Sequence, residues 1–140
     1  EDIAAPIDHV FAHVGDIAMF ERQALRRGAD VQRLDAGAYR AGSAWNVAFK
    51  YRGKERKMKV TMAELDAPQL IKVDSLSAGI AGVTLIELLA LSPQRTRLSV
   101  SVELSPNSLS ARLMLQSLKL AKGSLTRRFK DRVRGFAQGV

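Results

Sequence analysis

The sequence predicts an α+β fold. A curved antiparallel β-sheet wraps around a long C-terminal α-helix, with two short helices near the N-terminus. Three observations predict it. Residues 7–27 repeat their apolar positions every three or four residues, and residues 31–104 alternate with a period of two between turn signals. Residues 108–136 then return to the helical period with no proline to interrupt it. Helices grouped at the two ends of a run of strands make an antiparallel meander rather than a parallel sheet with crossover helices.

The elements follow in order. Pro6 opens the first helix, which presents Ile7, Val10, Phe11 and Val14 on one face and stops at Gly15. Asp16 caps a second helix with Ile17, Phe20 and Ala24 inward and Arg22, Arg26 and Arg27 outward; Gly28 ends it. About six strands come next. Val31 to Leu34 is short. In the following strand Trp45, Val47, Phe49 and Tyr51 alternate with Ala44, Asn46, Ala48 and Lys50, and Arg52-Gly53-Lys54 turns the chain. The return strand places Met58, Val60 and Met62 on one face. Asp66-Ala67-Pro68 breaks it. Gln69 to Leu76 is a strand, Ser77 to Gly82 a loop, and Val83 to Leu91 a strand that is apolar on both faces. After Pro93-Gln94-Arg95, Leu98, Val100, Val102 and Leu104 alternate with Arg97, Ser99, Ser101 and Glu103.

The predicted terminal helix, capped by Ser108 or Ser105, would run on the order of 40 Å. Ala111, Leu115, Leu118, Leu125, Phe129, Val133 and Phe136 form its seam, and Arg112, Lys119, Arg127, Lys130 and Arg134 a basic stripe opposite. Leu109, Leu113 and Leu120 lie off that seam, so the first half is apolar nearly all round. No other element is long and apolar enough to cover the sheet.

The 140 residues suit a single domain, 1–140, with its own core. A hydrophobic fraction of 46% and a charged fraction of 26% are those of an ordinary soluble globule. Cysteine is absent, which excludes disulfides, thiol catalysis and thiolate metal sites and suits a reducing compartment. No run approaches the ~18 apolar residues of a spanning helix. The expected location is cytoplasmic. A formal charge of +8 favours acidic partners.

Several short motifs stand in one order along the chain. Ile3-Ala4-Ala5-Pro6-Ile7-Asp8-His9-Val10-Phe11 resembles the I-x-A-P-x-x-x-V-(F/W) entry of the START-like (SRPBCC) superfamily, the polyketide cyclase and lipid-transfer proteins. Val14-Gly15-Asp16 with Phe20 resembles its helical elbow, and Gly42-Ser43-Ala44-Trp45 its G-x-x-W strand. Asp66-Ala67-Pro68-Gln69-Leu70-Ile71 resembles its D-P-P-x-x-L turn, and Thr96-Arg97-Leu98 its T-R-(L/V) strand start. The resemblance implies a helix-grip fold whose first strand, represented here by Glu1 to Ile3, is truncated. It also implies a cavity between sheet and helix. Family members bind lipids, sterols, quinones, polyketides or plant hormones, and some catalyse cyclisation or dehydration. Fold likeness does not choose among these.

The residues themselves suggest the same cavity. The inward candidates from the strands are Trp45, Val47, Phe49, Tyr51, Met58, Val60, Met62, Val100 and Val102. Those from the terminal helix are Leu113, Met114 and Leu118, with Lys122 as a cation at the cavity mouth. Methionine adapts to irregular ligands, and Trp and Tyr join apolar area to one polar tip. The same residues also suit a filled core, and Lys122 equally suits a stem lying along an apolar groove.

His9 and His13 have the i, i+4 spacing of helical metal ligands, but no third histidine or cysteine completes a set, and no metal or cofactor is expected. Glu64 and Glu87 lack a partner visible in the sequence for acid–base work. No nucleophile-elbow pattern is present. Gly79 to Gly82 is too short a glycine pattern for phosphate.

The expected function is binding of a hydrophobic or amphipathic small molecule. One alternative is a cyclase or dehydrase in which Tyr51, Trp45, Asn46 or Glu64 polarises a reactive chain. The other is an interaction protein that meets an anionic membrane or an acidic protein through its basic surface. Nucleic acid fits poorly. The hairpin cations Lys50, Arg52, Lys54, Arg56, Lys57 and Lys59 have no interleaved aromatics on the exposed face.

Overall fold

The computed structural model describes residues 1–120, 127, 131 and 133–139, leaving aside the side chains of 117–120. Seven antiparallel strands form one sheet in the order β1-β7-β6-β5-β4-β3-β2. They are β1 (Asp2–Ile3), β2 (Asp30–Arg33), β3 (Ala44–Tyr51), β4 (Lys54–Asp66), β5 (Leu70–Ser77), β6 (Ile80–Ser92) and β7 (Arg95–Pro106). From β2 to β7 each strand pairs with the next, and β1 closes the far edge against Thr96 and Arg97. The meander is as the alternation predicted.

Two hairpins turn on pairs of residues with positive φ, Arg52-Gly53 (52° and 75°) and Ala78-Gly79 (52° and 76°). This backbone suits two-residue turns that follow the sheet's twist. The second turn is shorter than the predicted loop, because Ile80, Ala81 and Gly82 already pair with β5 and β7.

Helix α1 (Ile7–Val14) and α2 (Ile17–Arg26) form the expected elbow. Asp16 caps α2 by accepting a hydrogen bond from the Met19 amide at 3.2 Å. The core lies where α1 meets the inner face near β1, β6 and β7. Ile3, Ala5, Val10, Val14, Ile71, Leu88 and Leu98 are buried there in one cluster. Three ties hold β1 to this end. Thr96 Oγ1 donates to the Ala5 carbonyl at 2.9 Å, Arg97 pairs with Asp2 at 2.8 Å, and the Leu98 amide donates to the Glu1 carbonyl at 2.7 Å.

The C-terminus corrects the prediction of a sheet wrapped around one long helix, and with it the helix-grip arrangement. Helix α3 (Leu109–Leu120) has 12 residues. A further helical stretch, 133–138, brings Val133, Phe136 and Ala137 onto the core, with Phe136 stacked on Phe20 at 6.2 Å between ring centroids. Ser108 caps α3, accepting from the Ala111 amide at 3.1 Å. The sheet does not grip this helix: Leu109, Leu113 and Met114 are 72%, 56% and 40% exposed.

The physical reason is local. The Asn107 amide donates to the Gly79 carbonyl at 2.6 Å, which anchors the start of α3 on the β5–β6 turn. The first turn of α3 crowds Gly79: a methyl there would stand 3.0 Å from Ser108 Oγ and 3.6 Å from Ala111 Cβ. Among the described side chains of α3, Ala111, on the predicted seam, is fully buried. The leucines off that seam find no second surface to cover, and this anchor sets the packing. The predicted seam residues Leu125 and Phe129 lie outside the described residues, as do Lys122, Lys130 and the side chains of Leu118 and Lys119.

Candidate apolar groove between α2 and the sheet

Strand register decides which side chains share the inner face. Trp45 faces Val60, Val47 faces Met58, and Phe49 faces Arg56. Met62 faces Val73 across the next ladder, and Ile71 then faces Ile86. Helix α2 lies over this face with Ile17, Phe20 and Ala24 turned toward it, leaving a groove of about 240 Å³. Its sheet wall is Val31, Trp45, Val47, Val60, Met62, Ile71, Val73 and Ile86; its helix wall is Val14, Ile17, Phe20, Glu21 and Ala24. The lining is thus apolar except for Glu21 and the indole N–H of Trp45. That is the usual character of a small-molecule site, although the volume falls just short of the ~300–1,000 Å³ such sites span.

A larger depression of about 610 Å³ is a different feature. It spreads around β2, β3 and β4 and takes in Lys57, Lys59, Asn46 and Leu76 from the outer face, so its lining mixes charged and polar side chains with apolar ones. Met58 belongs to this depression rather than to the groove.

A polar clasp stands behind two residues of the groove lining, Glu21 and Trp45. Asp35 accepts from Arg33 Nη2 at 3.0 Å, Ser43 Oγ at 2.9 Å and the Ala44 amide at 3.1 Å. The Arg33 guanidinium, then the Ala44 amide and the Ser43 hydroxyl, hold the Asp35 carboxyl well below the usual carboxylate range, with partial burial opposing them. Arg33 also lies over the Tyr39 ring at 4.2 Å, and Tyr39 stacks on Trp45 at 6.1 Å. The Tyr39 hydroxyl donates to Glu21 Oε1, which ties the loop before β3 to α2. That bond, and burial after it, raise the Tyr39 phenol above its ordinary value. Through Tyr39 the clasp braces Trp45, a residue of the groove wall.

Among the predicted cavity residues, Trp45, Val47, Val60 and Met62 line the groove. Phe49 is half-buried on the same face, and Val100 packs against the core cluster. Tyr51 is a correction: it sits beside the hairpin turn, 52% exposed. Val102, Leu113 and Met114 are also exposed and outside the groove, because α3 does not cover the far end of the sheet.

The polarising set proposed for chemistry is not assembled either. Asn46 lies on the outer face, opposite Lys59. Glu64 had the parity of Met62, but a bulge between them shifts the register, so Glu64 pairs with Lys72 in the open and Leu65 takes the place opposite Ile71. Glu87 is exposed on the outer face. His13 Nδ1 lies 3.0 Å from the His9 carbonyl, and among the described residues no group of three or more His, Cys, Asp or Glu could hold a metal. The helix half of the groove was missed as a site. Ile17, Phe20 and Ala24 carry a readable inward pattern but are not among the predicted cavity residues.

Comparison with known proteins adds fold-level likeness. A structural-genomics crystal structure from Rhodobacter sphaeroides aligns with a TM-score of 0.51 at 15% identity, covering 86% of this chain and 78% of that one. Another, from Chromobacterium violaceum, aligns with a TM-score of 0.50 at 21% identity, covering 85% of this chain and 86% of that one. No family model and no curated protein matches the chain. Among the described residues, no helix is long and apolar enough to cross a membrane.

Proposed function

We propose that this protein binds a hydrophobic or amphipathic small molecule in the groove between α2 and the inner face of the sheet. One observation carries the reading: a concave site of about 240 Å³ whose lining, apart from Glu21 and the Trp45 N–H, is aliphatic and aromatic. The ordered START-like motifs support it and suggest a distant kinship with ligand carriers. The cyclase reading has lost its polar set, since Tyr51, Asn46 and Glu64 do not converge on the groove. The cysteine-free composition agrees with work in a reducing cytoplasm.

Trp45 is the chain's single tryptophan and lies in the groove wall, so its fluorescence reports directly on occupancy. Titration with an apolar probe such as dodecanol should shift Trp45 emission saturably, and Val60→Glu should abolish the shift while the protein stays folded. A probe that leaves the emission unchanged, together with purified protein that yields no extractable ligand by native mass spectrometry, would remove the proposal.

A further inference from the structure

Among the described residues, two buried side-chain polar atoms lack a hydrogen-bond partner: Trp45 Nε1 and Arg56 Nε. Buried donors are nearly always paired, so each such orphan asks what satisfies it. Both fall on the same face of the same strand pair. Trp45 stands opposite Val60 and Arg56 opposite Phe49, with the Val47–Met58 pair between them. The four steps along the strand from Val60 to Arg56 span roughly 13 Å.

Arg56 is unlike the other hairpin cations. Lys54 and Lys57 on either side of it are exposed, whereas Arg56 is half-buried on the inner face, flanked by Phe49 and Met58. No carboxylate of the described residues neutralises it; the ion pairs there fall on Glu1, Asp2, Asp35 and Asp131. A guanidinium at the end of an apolar face is a natural receptor for an oxyanion, which it binds through a planar fork of donors.

We propose that the ligand is an apolar molecule with an oxyanion head, a carboxylate or a phosphate. Its body follows the inner face from the groove past Val47 and Met58, and its head rests on Arg56. The Trp45 N–H marks the opposite end of that path, where a ligand oxygen would find a donor. The inference rests on the ligand-binding reading above and adds the chemistry of the head group.

The test compares dodecanoate, dodecyl phosphate and dodecanol by Trp45 fluorescence and calorimetry. One or both anions should bind wild-type protein about tenfold or more tightly than the alcohol, and the tighter anion identifies the head group. Arg56→Gln should erase that preference and leave dodecanol binding unchanged, while Arg56→Lys should keep part of it. Lys57→Gln removes the same charge from the outer face and should leave the preference intact. Equal binding of alcohol and anions by the wild type would overturn the head-group assignment alone, with the groove still a binding site. So would an equal loss in Lys57→Gln and Arg56→Gln, which would trace the preference to the net field of the hairpin. Failure of all three probes to bind would overturn the groove reading itself.

Discussion

Across the inner face, one half of the sheet is sealed and the other is open. In the half nearest α1, Ile71, Leu88 and Leu98 are buried in the core cluster, and the groove beside Trp45 and Met62 is the one notch in its cover among the described residues. In the half nearest the β3–β4 and β5–β6 turns, Tyr51, Val102 and Leu104 are about half exposed, and Arg56 Nε has no hydrogen-bond partner among the described residues. Strand alternation runs unbroken through both halves of β7. The alternation therefore names a face, while the helices decide how much of that face leaves water. Here α1, α2 and the 133–138 stretch cover the first half, and the described part of α3 stays off the second.

Deleting packing atoms should break the contrast most severely. Leu98 is 2% exposed, so Leu98→Ala should cost about 2–5 kcal/mol in urea unfolding. A cost under ~1 kcal/mol would mean that the sealed half is not the core. Thr96→Val comes next. It leaves the Ala5 carbonyl without its buried donor and should cost about 1–3 kcal/mol, with β1 amides losing exchange protection before those of β3.

The clasp sharpens the comparison through pH, because it braces the β2–β3 side of the sealed half by charge. The folded-state pKa of Asp35 lies below its ordinary 3.8, so its contribution is fully present above that value and is lost as pH falls through the folded value. Asp35→Asn should therefore flatten the acid limb of the stability curve without altering the neutral-to-alkaline part. An unchanged acid limb would mean that the clasp holds nothing. Tyr39 has the opposite sign: its folded pKa is raised above 10.0, so its contribution holds below 10.0 and disappears as pH rises through the folded value. Tyr39→Phe should remove that alkaline loss, read by circular dichroism. The smallest effect belongs to the open half. Val102 is 46% exposed, and Val102→Ser should change stability by no more than about 0.5 kcal/mol.

The strands were legible because a period of two needs only apolar and polar residues in turn. The alternation predicts Trp45, Val47, Val60 and Met62 on the inward face, beneath the terminal helix; the helix that lies over them is α2. Three things were not legible, each for a physical reason. The bulge after Met62 leaves no compositional mark, so Glu64 was given the wrong face. Helix α3 is ringed by leucines, so its pattern put Ala111 on the buried seam but could not say that Leu109 and Leu113, off that seam, would stay exposed. The clasp joins Asp35 to Ser43 across 8 residues and Glu21 to Tyr39 across 18, in a stretch with no periodicity to read.

The bulge in β4 also limits how this chain can change length. On its hairpin side Trp45, Val47 and Phe49 fix which residues turn inward; on its other side Ile71 fixes the opposite parity, through Leu65. Removing the single residue Ala63 would restore a regular ladder and leave Glu64 outward opposite Lys72 and Leu65 inward opposite Ile71. A single gain or loss elsewhere in β4 would instead turn every side chain beyond it to the other face. Divergent relatives should therefore lose one residue at the bulge more readily than at any other position of β4.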